Sequence, residues 1–67
     1  MSVARVTEIT AASKTGFEDA VRVGITRAND TLRNVTGAWI QEMKVEVEKG
    51  KIVEYRVNMK VTFILED

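Results

Sequence analysis

The sequence contains no cysteine, no histidine and no proline, and its ten basic side chains are matched by ten acidic ones. Each absence closes off a class of chemistry. Without cysteine there is no disulfide and no thiol nucleophile; without histidine there is no imidazole base, no Ser-His pair and no tetrahedral zinc centre. Any bound cation must therefore be held by oxygens, which favours calcium or magnesium. A formal net charge of zero lacks the basic surplus that neutralises phosphates, so nucleic acid is not an expected partner. No apolar run approaches the roughly 18 residues of a membrane span, and the opening MSVARVTEIT lacks the apolar core of a signal peptide. A membrane is not an expected partner either, and the expected compartment is the cytoplasm.

What is present points to a folded single domain spanning 1–67. The hydrophobic fraction of 45% is ordinary for a globular chain and too high for a disordered one. A chain of this size buries only about 60% of its unfolded surface and is marginal alone. With the disulfide and zinc staples missing, oligomerisation is the remaining common source of stability.

Two patterns organise the chain. After the turn signal Glu48-Lys49-Gly50-Lys51, the residues Val53, Tyr55, Val57, Met59, Val61, Phe63 and Leu65 alternate with Glu54, Arg56, Asn58, Lys60, Thr62 and Ile64. Period two predicts a strand with one buried face. Before the turn, Trp39, Met43, Val45 and Val47 share one parity and Glu42, Lys44, Glu46 and Glu48 the other, with Gln41 a polar break in the apolar row. The two segments form an antiparallel hairpin. From Phe17 to Leu32 the period changes: Phe17, Ala20, Val21, Gly24, Ile25, Ala28 and Leu32 recur at three- and four-residue steps, which predicts an amphipathic helix. Ser13 and Thr15 mark its start, and Thr15 with Glu18 has the spacing of a capping box. The small stripe Ala20, Gly24 and Ala28 lets the helix lie close against a sheet, and close approach is the reason for Gly24, which costs roughly 1 kcal/mol against Ala in a helix. Val3 to Thr10, rich in β-branched residues, reads as a first strand. The fold class is α+β, in the order β-α-β-β, with a three-stranded antiparallel sheet on one helix. Such a sheet leaves two edges open, and open edges need cover.

Along almost its whole length the chain resembles the dodecins, small flavin-binding proteins. The likeness rests on Val6 to Ile9 followed by Ser13-x-x-Gly16-Phe17-Glu18-x-Ala20, on Arg27-Ala28-x-x-Thr31-Leu32-Arg33-Asn34-Val35, and on Gly50-Lys51-Ile52-Val53-x-Tyr55-x-Val57-x-Met59-Lys60-Val61-x-Phe63-x-Leu65-Glu66. The resemblance implies a hollow homododecamer, with self as partner, that binds a small ligand without catalysis. It also implies a flavin site, for riboflavin or FMN, in which a Trp soon after the Asn34-Val35 pair stacks on the ring and a Gln after the Tyr of the last strand hydrogen-bonds to it. Those positions are occupied here by Gly37 and Arg56. The lone Trp, Trp39, lies two residues farther on, and two residues along a strand return to the same face about 7 Å away. Ordinary packing is the competing role for Trp39, and a salt bridge with Glu42 or Glu54 the competing role for Arg56.

Arg27 matches an Arg that lies near a coenzyme A site in some dodecins, whereas the second Arg of that junction is Ile64 here. The resemblance also implies an alternative function. One branch of the family binds calcium without the stacking Trp and carries Tyr-Arg, as in Tyr55-Arg56, where flavin binders have Tyr-Gln. Its candidate ligands here are Glu42, Glu46, Glu48, Glu66 and Asp67, brought together by symmetry, with no choice among them from the sequence. No spacing of Glu, Asp, Lys, Tyr or Ser singles out a catalytic constellation, so the chain is not expected to be an enzyme.

Overall fold

A computed structural model describes residues 3–65. The order is β1 (Ala4–Ser13), α1 (Phe17–Thr31), β2 (Val35–Glu48) and β3 (Lys51–Ile64). The three strands form one antiparallel sheet in the order β1-β3-β2, as the α+β reading expects. The most strongly alternating segment, β3, is the central strand. Its two neighbours reach it differently: β2 by a tight hairpin, β1 through the helix. Lys49 and Gly50, at the centre of the turn, have φ of 53° and 77°. Positive φ at both central residues is what a two-residue type I′ hairpin turn requires, and Gly50 supplies it without a Cβ penalty.

Residues directly opposite each other in an antiparallel pair point to the same side of the sheet. From Tyr55 to Phe63 the odd residues of β3 face the helix, and Val57, Met59 and Val61 among them are fully buried. Ile9 and Ala11 of β1, opposite Met59 and Val57, complete that side under the helix. The helix contributes Ala20, Gly24 and Ala28, spaced by one turn and all buried. Burial of Val57, Met59 and Val61 contributes about 1.5–3 kcal/mol each. Gly24 fits close contact: a Cβ there would overlap Met59 Cε and stand 2.9 Å from the Ala11 Cβ. Phe17 anchors the start of the helix, meeting Tyr55 edge to face with ring centroids 5.2 Å apart.

The structure corrects four local expectations. The capping box does not form: Gly16 is the N-cap and no side chain caps the helix. Ser13 instead bridges the loop, accepting the Thr15 N–H at 2.9 Å and donating to Asp19 Oδ2 at 2.6 Å. The hydroxyl that satisfies this turn therefore comes from the strand end. Next, β1 continues past Thr10 to Ser13, because pairing with β3 persists to Ser13 opposite Tyr55 and overrides the weak strand propensity of Ala11-Ala12. Val53 and Leu65, in the apolar row of the last strand, are exposed, because the helix roofs only the middle of β3. A 15-residue helix is about 22 Å long, while a 14-residue strand runs about 47 Å.

The fourth correction concerns β2. Its pairing with β3 skips Thr36 and Gln41, with a further irregularity opposite Val53. Each skipped residue is a bulge, and each resets which parity faces the helix. Trp39 therefore pairs with Lys60, on the side away from the helix, while Met43 pairs with the buried Val57 on the helix side. The apolar row from Trp39 to Val47 is split between two faces, and Gln41 is where it splits. The two 14-residue hairpin strands make the chain elongated, 52 × 19 × 13 Å, with a radius of gyration of 13.8 Å against about 11 Å for a compact domain of this length.

Candidate functional site

The sheet face away from the helix is the candidate site, and β3 sets its layout. The even residues Glu54, Arg56, Asn58, Lys60 and Thr62 form its midline. Opposite them on β2 stand Glu46, Lys44, Glu42, Trp39 and Gly37, and on β1 Ala12, Thr10, Glu8 and Val6 complete the rows from Arg56 to Thr62. One row reads Glu8, Lys60, Trp39 across the sheet. Another reads Thr10, Asn58, Glu42, with the Asn58 amide donating to Thr10 Oγ1 at 3.1 Å.

Trp39 is 58% exposed, so its ring is presented to solvent. Gly37 shares its face, and a side chain added there would meet nothing within 4 Å. Val35, before the Thr36 bulge, turns the other way: it pairs with Phe63 and packs half-buried against the core. The bulge at Thr36, whose hydroxyl reaches Thr62 O at 3.5 Å, therefore separates Val35 from Gly37 and Trp39.

Arg56 lies on the same face but not beside them. It pairs with Lys44, six residues along β3 from the partner of Gly37 and four from that of Trp39, which at strand spacing is about 20 Å and about 13 Å. Its guanidinium donates to Glu54 Oε2 at 2.6 Å. This hydrogen bond, with the attraction of the same carboxylate, pushes the Arg56 pKa still higher. Lys44 is similarly held by Glu46 at 3.3 Å. Those contacts turn the directly opposed Glu46 and Glu54 into a patchwork of compensated charge, and of the two partners weighed for Arg56 the structure selects Glu54.

Arg27 sits elsewhere. It lines a groove of about 440 Å³ between the helix and β1, with Val23, Thr31 and Thr10. This groove borders the edge of the sheet opposite β2, so Arg27 and Trp39 are not brought together. Ile64 ends β3 opposite Ala4, away from that groove.

The acidic candidates are also spread out: Glu42 opposes Asn58, Glu46 opposes Glu54 and Glu48 opposes Lys51. Among the described residues no group of three acids is placed to hold a metal ion. Glu66 and Asp67 lie outside the described residues. Nor is any helix among the described residues long and apolar enough to cross a membrane. The neighbours that sequence reasoning does not connect with Trp39 are Lys60 and Glu8, which share its row. Their proximity depends on strand order and on the bulges, and neither leaves a mark in residue spacing.

These features define a small α+β protein of β-α-β-β order with an open, mixed-charge sheet face. The sequence model of the Dodecin family matches residues 3–66, and the chain belongs to that family. It is 30% identical over 63 residues to the calcium dodecin of Mycobacterium tuberculosis, covering 94% of this chain and 89% of that protein. It is 30% identical over 60 residues to the dodecin of Thermus thermophilus, covering 90% and 87%. Among solved structures, the dodecin from Streptomyces davaonensis matches with a TM-score of 0.94 at 36% identity, over 98% of this chain and 97% of that one. The calcium-chelating calcium dodecin of Mycobacterium tuberculosis, described with a novel calcium-binding site, matches at 0.83 and 32% identity, over 97% and 93%. Dodecameric assembly and small-molecule binding without catalysis are typical of the family.

Proposed function

We propose that the protein is a non-catalytic, cytoplasmic homododecameric shell that binds and sequesters a small flat ligand, with flavin as riboflavin or FMN the ligand that family membership favours. The observation that carries this reading is Trp39: a solvent-facing indole on the same sheet face as Gly37 and Arg56. A flat heteroaromatic ring needs a π-surface against its face and polar donors at its edge. Trp39 offers the first. Arg56 and Lys60 offer donors on the same side, with Arg56 supplying a planar fork where a Gln would supply one amide. Lys60 stands directly opposite Trp39, whereas Arg56 of the same chain is about 13 Å away along β3, so a single ring meets both Trp39 and Arg56 only between copies. The test is titration of purified protein with riboflavin and FMN while flavin and Trp39 fluorescence are followed. Quenching of both that saturates at micromolar ligand is expected; unchanged emission from both sinks flavin as the ligand.

A second reading is a flavin-free shell that binds calcium or another divalent cation. It is favoured by the 30% identity to a calcium dodecin and by Glu42, Glu46 and Glu54 on one face. Hard cations take several oxygens, and the spread of these acids within one chain requires that symmetry-related copies supply the rest. Calorimetric titration of chelator-treated protein with calcium separates this reading from the first: heat no greater than dilution leaves no tight site.

A further inference from the structure

We propose that Lys60 sets ligand specificity on the sheet face: the flat ligand stacked on Trp39 carries an anionic group that the Lys60 ammonium binds, so that FMN is preferred over riboflavin. The inference rests on the flavin reading above and deepens it by naming the charge class of the ligand. Among the described residues three cations stand on the strands of this face, Arg56 and Lys60 on β3 and Lys44 on β2. Two are already compensated: Arg56 donates to Glu54 at 2.6 Å, and Lys44 lies 3.3 Å from Glu46. Lys60 is in no ion pair among the described residues, although Glu8 stands directly opposite it on β1. The neighbouring amide of the same face, Asn58, is committed to Thr10 Oγ1. The half-buried Lys60 is therefore the cation left uncompensated beside the exposed indole, which stands opposite it on β2.

The order of charges across the sheet decides the sign of the ligand. With the strands in the order β1-β3-β2, the row runs Glu8, Lys60, Trp39. A ring over Trp39 then has the ammonium about one strand spacing away, ~4.8 Å, and the carboxylate about two, ~9.6 Å. Coulomb energy falls inversely with distance, so attraction to Lys60 is about twice the repulsion from Glu8 before screening. Salt weakens the farther charge more, because the Debye length at physiological ionic strength is about 8 Å. An anion beside a ring on Trp39 is thus drawn in. The chain's equal counts of basic and acidic side chains leave no net charge to oppose or imitate this local preference. FMN and riboflavin share one ring and differ by a phosphate of about −1.5 to −2 charge. The ribityl chain that joins ring and phosphate is longer than one strand spacing, so the phosphate of a stacked FMN reaches Lys60.

Fluorescence titration of wild-type, Lys60→Gln and Lys60→Arg proteins with FMN and with riboflavin tests the assignment. A hydrogen bond to a charged group is worth roughly tenfold in affinity. Wild type is therefore expected to bind FMN about tenfold more tightly than riboflavin, Lys60→Gln to lose that preference by weakening FMN alone, and Lys60→Arg to keep it. In wild type, FMN affinity should also fall several-fold between about 0.05 and 0.5 M salt while riboflavin affinity stays constant. Should Lys60→Gln fail to fold, this salt dependence decides. Equal affinity of wild type for the two ligands, a Lys60→Gln protein that weakens both alike, a Lys60→Arg protein that loses the preference as fully as Lys60→Gln, or an FMN affinity indifferent to salt overturns the proposal and leaves flavin as the ligand. Wild-type emission unchanged by either ligand removes the flavin reading, and the role of Lys60 with it.

Discussion

Trp39 and Met43 lie on opposite faces of β2 although they are four positions apart, because Gln41 has no partner in β3. Uninterrupted alternation would place both side chains on one side. The bulge instead gives the indole to the charged, open face and the thioether to the apolar, helix side. One unpaired residue thus divides the strand between the candidate ligand face and the apolar helix side.

Deleting Gln41 is therefore expected to preserve both faces, since Ile40 opposite Met59 and Glu42 opposite Asn58 become consecutive rungs of a regular ladder. The fluorescence emission maximum of Trp39, the sole Trp, should stay that of an exposed indole. A marked blue shift in a folded deletion protein would mean that the strand had slipped and carried Trp39 to the helix side. Insertion of one Ala after Gln41 enlarges the bulge and provides the comparison.

How far the fold can be read from the sequence depends on which interactions are local. The helix is legible because its apolar period is internal to the segment, and Gly24 is legible because its cost in a helix calls for a compensating contact. The alternation from Val53 to Leu65 identifies β3, and Gly50 the turn. Strand order and the bulges at Thr36 and Gln41 are not legible, because they follow from which strand pairs with which. That is why Val35 and Trp39, both near the family flavin position, end on different faces, and why Lys60 enters the site unannounced. The start of the helix is misread for a related reason: Thr15 and Glu18 have capping-box spacing, yet Ser13, fixed at the end of a paired strand, reaches the loop and Asp19 first.

Gly24→Ala should destabilise the protein despite the better helix propensity of Ala. The new methyl group meets the Ala11 Cβ at 2.9 Å and overlaps Met59 Cε. The end of Met59 can move, but it is fully buried, and the β1 backbone carrying Ala11 is paired on β3. Overpacking of this kind costs about 1–3 kcal/mol, more than the roughly 1 kcal/mol that propensity returns. Denaturant midpoints at one fixed protein concentration measure the difference; an unchanged or higher midpoint would show that the helix simply lifts.

Asp19 links stability to acid. Its carboxylate is held below the usual range first by the hydrogen bond from Ser13 and then by that from Arg22. A carboxyl group with a depressed folded-state pKa contributes stability that is present above its unfolded pKa and is lost as pH falls through its folded one. Wild type should therefore be more stable than Asp19→Asn at neutral pH, and the gap should close as pH drops below the ordinary carboxylate range. Melting curves of the two proteins from pH 7 to pH 2 report this; a gap that stays constant would assign the effect to hydrogen-bond geometry rather than charge.

Gly37 offers a direct trial of the flavin reading. A side chain there meets open space on the face that carries Trp39, and the position lies outside the left-handed region that would strain a substituted residue. Gly37→Trp should consequently fold with little loss of stability while adding a second π-surface about 7 Å from the first. Aromatic stacking on a flat base is worth about 1–3 kcal/mol, so riboflavin affinity should rise roughly tenfold or more, each factor of ten corresponding to about 1.4 kcal/mol. Trp39→Ala should lower affinity in the unsubstituted protein if Trp39 is the existing stacking surface. Arg56→Gln, combined with Gly37→Trp, separates the ring face from its edge: affinity that rises with Gly37→Trp and rises again with Arg56→Gln places the ligand at the family position, whereas a gain from Gly37→Trp that Arg56→Gln reverses shows that the guanidinium is already a ligand contact. Fluorescence titration of the four proteins measures all of these terms, and a set of identical curves would remove this sheet face as the flavin site.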